Sequence, residues 1–167
     1  MSKNTVRLAI FAAALLGVLF WISPYWAVSG LASAAQAGDA DLVADYVDIG
    51  RLRSSFKGQA MIGIQAELQK KRGTVMATLG AVLGSAMIDR FIDNMITPQT
   101  LAQLLSKELQ DLHASRTTIV LRLIASSKAY WVSDSAFRIQ VNKDSSMTWR
   151  REGLSWRLTS VTVPLTK

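Results

Sequence analysis

The chain carries no charged residue between Arg7 and Asp39, and residues 8–28, LAIFAAALLGVLFWISPYWAV, are apolar almost throughout. A helix of about 20 apolar residues fits a bilayer core of roughly 30 Å. The pattern therefore predicts a membrane anchor that starts at Leu8 and closes at Val28, with Pro24 kinking or restarting the helix near one interface. Trp21, Tyr25 and Trp26 cluster at the far end, where amphipathic rings favour headgroups, and Lys3 and Arg7 flank the near end. That asymmetry places the N-terminus in the cytoplasm. The competing reading is a cleaved signal peptide, since Ala32, Ser33 and Ala34 form a small-residue cleavage pattern after a basic start and an apolar centre. The separation weighs against it, because Pro24, Tyr25 and Trp26 lie between the apolar centre and the cut. A buried helix of a soluble domain is the third alternative.

Past the anchor about 140 residues remain, the common size of one domain with one core. The expected division is an anchor over 1–28 and a single domain over 29–167, mainly helical to about 115 and mainly β from about 117. Of the formal charge of +7, Lys3 and Arg7 contribute two, which leaves +5 on the remainder. A basic domain held at a membrane favours anionic lipid as a partner. There is no cysteine, so disulfides and thiolate metal sites are excluded.

The alanine-rich stretch after the anchor reads as two short helices broken at Gly38 and Asp39, with Leu42, Val43, Tyr46 and Val47 as an apolar stripe. Asp48 stands as an N-cap before an amphipathic segment, residues 49–72, whose candidate core positions are Leu52, Phe56, Ile62, Ile64 and Leu68. Residues 73–88 are again free of charge but short for a span and interrupted by Gly73, Gly80 and Gly84, so they read as a packed apolar helix. A lipid-contacting segment and a second span stay open as alternatives. Thr97 and Pro98 start a helix carrying Leu101, Leu104, Leu105, Leu109 and Leu112. Beyond His113 the character turns to β over 117–125, 129–133, 136–143, 147–151 and 155–164. Short turns at 142–146 and at Glu152 and Gly153 predict an antiparallel meander of three to five strands. Phe137, Ile139 and Val141 alternate with Arg138 and Gln140, which predicts one buried face and one basic or polar face.

No constellation amounts to a catalytic or cofactor site. His113 is the sole histidine, so the usual zinc ligand sets cannot form. Asp39, Asp41, Asp45 and Asp48 lack the glycine and terminal glutamate of a calcium loop and read as caps and a solvated helix face. Arg138, Arg150, Arg151 and Arg157, interleaved with Trp149 and Trp156, make the candidate basic sheet face. It resembles a nucleic-acid platform only superficially, since a domain outside the cytoplasm seldom meets nucleic acid; a solvated face or anionic lipid contact fits better.

The order of these features resembles a bacterial family known as domain of unknown function 2939. The pieces that carry the resemblance are the apolar segment ending in SPYWA, Gly38, Asp39 and Ala40, the run YVDIGRLRSSFK, Thr97 and Pro98 with Leu101, and the closing REGLSWRLTSVTVP. It implies a single-pass envelope protein of Gram-negative bacteria and brings no activity or catalytic residues with it. The expected fold is α+β: a transmembrane helix, then a helical layer on a C-terminal antiparallel β-meander, similar to the cystatin and nuclear-transport-factor-like rolls. Such a fold often encloses an apolar pocket, with Met76, Leu79, Leu83, Met87 and Phe91 as its candidate lining. The expected function is non-enzymatic: a periplasmic domain on the inner membrane that binds a partner protein or an envelope lipid. The alternatives are a hydrolase- or isomerase-like pocket enzyme using Asp89 or Asp93, and a structural subunit of an envelope complex.

Overall fold

The computed structural model describes residues 3–70, 75–111, 129–141 and 143–164. It is α+β, with helices α1 (Lys3–Ala37), α2 (Ala40–Tyr46), α3 (Ile49–Lys70), α4 (Val75–Met95) and α5 (Pro98–Asp111) followed by strands β1 (Ala129–Ser133), β2 (Ala136–Gln140), β3 (Ser146–Glu152) and β4 (Ser155–Thr162). The four strands form an antiparallel meander in sequence order. The strand expected over 117–125 and His113 lie outside the described residues.

The helix does not restart at Pro24. α1 continues for 35 residues with Pro24 inside it. It changes environment along its length: from Lys3 through Ile22 every side chain is exposed, whereas Ala27, Leu31 and Ala34 belong to the core cluster. Residue 28 is therefore no structural boundary, and the first of the two short helices expected after it is the last part of α1. The expected break does fall at Gly38, whose φ of 67° is one that a side-chain-bearing residue rarely adopts. The Gly38 N–H donates to Ala35 O and the Asp39 N–H to Ala34 O, each at 3.0 Å, so the last carbonyls of α1 are satisfied as the chain turns. Asp39 then caps α2, its Oδ1 accepting from the Asp41 and Leu42 amides at 3.1 and 3.0 Å, and Asp48 caps α3 by accepting from the Arg51 amide at 2.9 Å.

The core lies between the helices and one face of the sheet. Phe137, Ile139, Trp149, Trp156 and Leu158 from the strands meet Leu31 of α1, Val43 of α2, Leu52 of α3, Ile92 of α4 and Ala102 of α5. Along α3 the inward residues are Leu52, Phe56 and Ala60, stepped by four, while Ile62 is exposed. The stripe follows helical stepping rather than the placement of the largest side chains. Val141 is also exposed, because pairing of β2 ends at Gln140 before the alternation reaches it.

β4 needs a partner for its outer edge. Val47 bridges to Leu158, the Asp48 N–H donates to Leu158 O at 3.0 Å, and the Gln59 amide does the rest. Gln59 Nε2 donates to Val161 O at 2.8 Å and Gln59 Oε1 accepts from the Val163 N–H at 3.1 Å, so one side chain satisfies the edge as a fifth strand would. Gln59→Ala is expected to cost about 1 kcal/mol and to speed hydrogen exchange at the Val163 amide about fivefold; amide exchange in detergent micelles measures both.

Candidate functional site

A proline inside a helix withdraws the N–H that the carbonyl four residues earlier requires, here Phe20. Ser23 repairs the loss. Its hydroxyl donates to Phe20 O at 2.7 Å and accepts from Trp156 Nε1–H at 2.8 Å. One hydroxyl thus closes the helix defect and ties α1 to β4.

Aromatic rings surround this point. Phe20 stacks on Trp131 at 5.5 Å between ring centres, Trp21 approaches the same indole at 5.3 Å, and Trp131 meets Trp156 edge-on at 5.4 Å. Tyr25 packs edge-on against Phe137 at 5.1 Å, and the Arg151 guanidinium lies 4.6 Å from the Phe20 ring centre. The sheet grips α1 where its exposed apolar part gives way to its buried part.

Beside that grip lies a cleft of about 460 Å³. Ser23, Trp26 and Ala27 of α1 form its floor, with Asp45 and Tyr46 of α2 on one side. The tip of the β3–β4 hairpin, Leu154 and Ser155, forms the other side with Trp156 and Arg157. Tyr46 can lie over α1 because residue 30 is glycine; a Cβ there would overlap the tyrosine ring. Gly153, with φ 62°, turns the hairpin in two residues and leaves Leu154 91% exposed at the tip.

The arginines read from the sequence divide between the two sheet faces. Strand register sets Arg150 opposite Arg157 and Arg138 opposite Thr148, so these three share the outer face. Arg151 pairs with Trp156 and belongs to the core side, where it covers Phe20. A strand alternates residue by residue, so Arg150 and Arg151 cannot share a face. Glu152 accompanies this group through an ion pair with Arg51 and a longer contact, 3.8 Å, with Arg157.

Of the candidate pocket residues, all on α4, Met87 is 73% and Phe91 62% exposed. The side chains of Met76, Leu79 and Leu83 lie outside the described residues. Asp93 sits 2.8 Å from Lys57 Nζ, and Asp89 3.9 Å from the same atom. Arg53 approaches Asp93 at 3.9 Å and donates to Ile96 O just past the end of α4 at 2.9 Å. The two aspartates thus join α3 to α4. Asp39 and Asp48 are caps, as expected, and Asp45 alone of that cluster reaches the cleft. Sequence reasoning missed Ser23 and Leu154. The signal for the first was a serine beside a proline in an apolar helix, and for the second a leucine after the glycine of a tight turn.

A family model described as "Protein of unknown function (DUF2939)" matches residues 13–104, more than half of the chain, from the middle of the exposed part of α1 into α5. No curated protein and no solved structure matches the chain.

Ser23→Ala orphans both the Phe20 carbonyl and the Trp156 indole N–H, and is expected to cost about 1–3 kcal/mol. Trp156→Phe keeps most of the ring and removes the donor. A double-mutant cycle from unfolding curves in detergent should return a coupling of at least about 0.5 kcal/mol; additive costs would dissociate the two groups.

Proposed function

The chain belongs to this family of proteins of unknown function, and we propose that it is a single-pass protein of the bacterial inner membrane whose folded domain binds partners at the periplasmic surface. The observation that carries this reading is the exposed apolar length of α1. Leu8, Ile10, Phe11, Leu15 and Leu16 are 51–68% exposed, an arrangement unfavourable in water at about 25 cal/mol for each Å² of apolar surface and favourable in lipid. The same helix continues into the domain core, so the domain stands directly on the bilayer. Lys3 and Arg7 before the apolar run favour a cytoplasmic N-terminus.

The binding part of the reading rests on α4. Met76, Leu79, Leu83, Met87 and Phe91 follow one another at three- and four-residue spacing along one helix. The exposure of Met87 and Phe91, continued by Met95 at 45%, favours a contact stripe on the surface over the lining of a closed pocket. An envelope protein is the partner that such a stripe fits. The ion pairs of Asp89 and Asp93 with Lys57 give both carboxylates a structural role, which favours binding over catalysis.

Alkaline phosphatase fused after residue 167 should be active in cells, while a green fluorescent protein fused there should stay dark, and the chain should resist carbonate extraction from membranes. The opposite reporter pattern would reverse the topology. For the stripe, Met87→Asp with Phe91→Asp should abolish at least nine-tenths of a specific cross-linked adduct formed in cells, with the near-UV circular dichroism of the domain unchanged. Loss of nothing would remove α4 as the contact.

A further inference from the structure

The depth of the cleft in a bilayer follows from counting along α1. The exposed part of α1 runs from Lys3 through Ile22, with its charges, Lys3 and Arg7, confined to the start, where long side chains reach back to the headgroups; at 1.5 Å per residue it is about 30 Å long, the thickness of the hydrocarbon core. Ser23 then stands at the hydrocarbon boundary and Ala27 about 6 Å outside it. Headgroups occupy roughly the next 5–7 Å on each side. A cleft floored by Ser23, Trp26 and Ala27 therefore opens at headgroup depth. Trp26, 59% exposed, is the residue type that favours this layer.

The walls carry opposite charges. Asp45 projects from α2 and Arg157 from β4, both line the cleft, and no ion pair joins them. Asp45 is exposed and has no ion-pair partner among the described residues, and the contact of Arg157 with Glu152 is long, at 3.8 Å. Ser155 and Tyr46 also line the cleft, with the 91% exposed Leu154.

Resting on the reading of α1 as a membrane span, we propose that this cleft holds the headgroup of an aminophospholipid. Its phosphate lies beside Arg157, its primary ammonium beside Asp45, and Leu154 enters the first acyl carbons. Phosphate and ammonium two carbons apart complement an arginine and an aspartate that line one cleft. A purely anionic headgroup would set its charge near Asp45 with no cation to offer it, and a quaternary ammonium would have no N–H to donate. The volume of about 460 Å³ falls within the range of roughly 300–1,000 Å³ of small-molecule sites. A hairpin tip that leaves a leucine in water has no other described partner for it, and lipid supplies one.

The test uses the full-length chain in nanodiscs made of equal parts phosphatidylethanolamine, phosphatidylglycerol and phosphatidylcholine, with retained lipid read by native mass spectrometry after detergent release. Phosphatidylethanolamine should be retained about tenfold over each of the others, the ratio that corresponds to 1.4 kcal/mol. Asp45→Asn should abolish its preference over phosphatidylcholine, and Arg157→Gln should lower retention of all three, with near-UV circular dichroism unchanged. Equal retention of the three lipids by the native chain overturns the proposal, as does a preference that survives Asp45→Asn. Preference for phosphatidylglycerol would do so in favour of a simple basic surface. A chain that fails to stay with membranes at all removes the membrane-span reading; one that stays but shows no enrichment removes only the headgroup proposal.

Discussion

The structure depends on one hydroxyl. A proline in a helix leaves a carbonyl without its donor, and an orphan of that kind costs about 1–3 kcal/mol. Ser23 supplies the donor to Phe20 O, and the same oxygen takes the Trp156 indole N–H. The helix stays continuous across Pro24 because of the first bond, and the sheet is fixed to the helix because of the second. Removing the proline would free Ser23 from the repair; removing Trp156 would free the sheet. The defect and the attachment are one arrangement.

From that point the fold builds outward in two directions. Toward the exposed part of α1, Phe20 and Trp21 meet Trp131, and Arg151 lies over Phe20, so the strands clasp the helix with ring faces. Away from it, Ala27, Leu31 and Ala34 are small enough, or placed well enough, for α2 and the sheet to close around α1. Gly30 makes the closest of these approaches, under the ring of Tyr46. The antiparallel order sets the β1–β2 and β3–β4 turns at one end of the sheet and the β2–β3 turn at the other. Since Trp131 and Trp156 both reach the foot of α1, the end with Leu154 is the one nearest the exposed part of that helix.

How much of this the sequence disclosed depended on the range of the physics. The long apolar helix, the Gly38 break, the Asp39 and Asp48 caps, the Thr97 cap and the two hairpin turns are set by near neighbours in sequence, and each was readable. The Thr97 hydroxyl indeed accepts from the Thr100 amide at 3.2 Å. The continuity of α1 was not readable, because the residue that compensates for Pro24 is itself held by Trp156, 133 positions away. The same distance hid the cleft, whose walls come from three elements. Grouping Arg151 with Arg150 and Arg157 failed for a different reason: counting arginines ignores the two-residue alternation that separates adjacent positions.

The carboxylates of the domain fall in two different settings. Catalytic carboxylates gain their reactivity from burial or from a like-charged neighbour, both of which raise the affinity for protons. Asp89 and Asp93 are 56% and 46% exposed and share one lysine, Lys57. Exposed ion pairs of this kind contribute at most about 1 kcal/mol each, enough to set the angle between α3 and α4 and too solvated to tune a proton transfer. Asp45 and Arg157 stand differently: both line the cleft, no ion pair joins them, and Arg157 reaches Glu152 at 3.8 Å. The cleft is lined by one carboxylate, one guanidinium, the three hydroxyl-bearing residues Ser23, Tyr46 and Ser155, and two indoles, Trp26 and Trp156. The cleft stands at the foot of the exposed part of α1, beside the rings that fix the sheet to the helix.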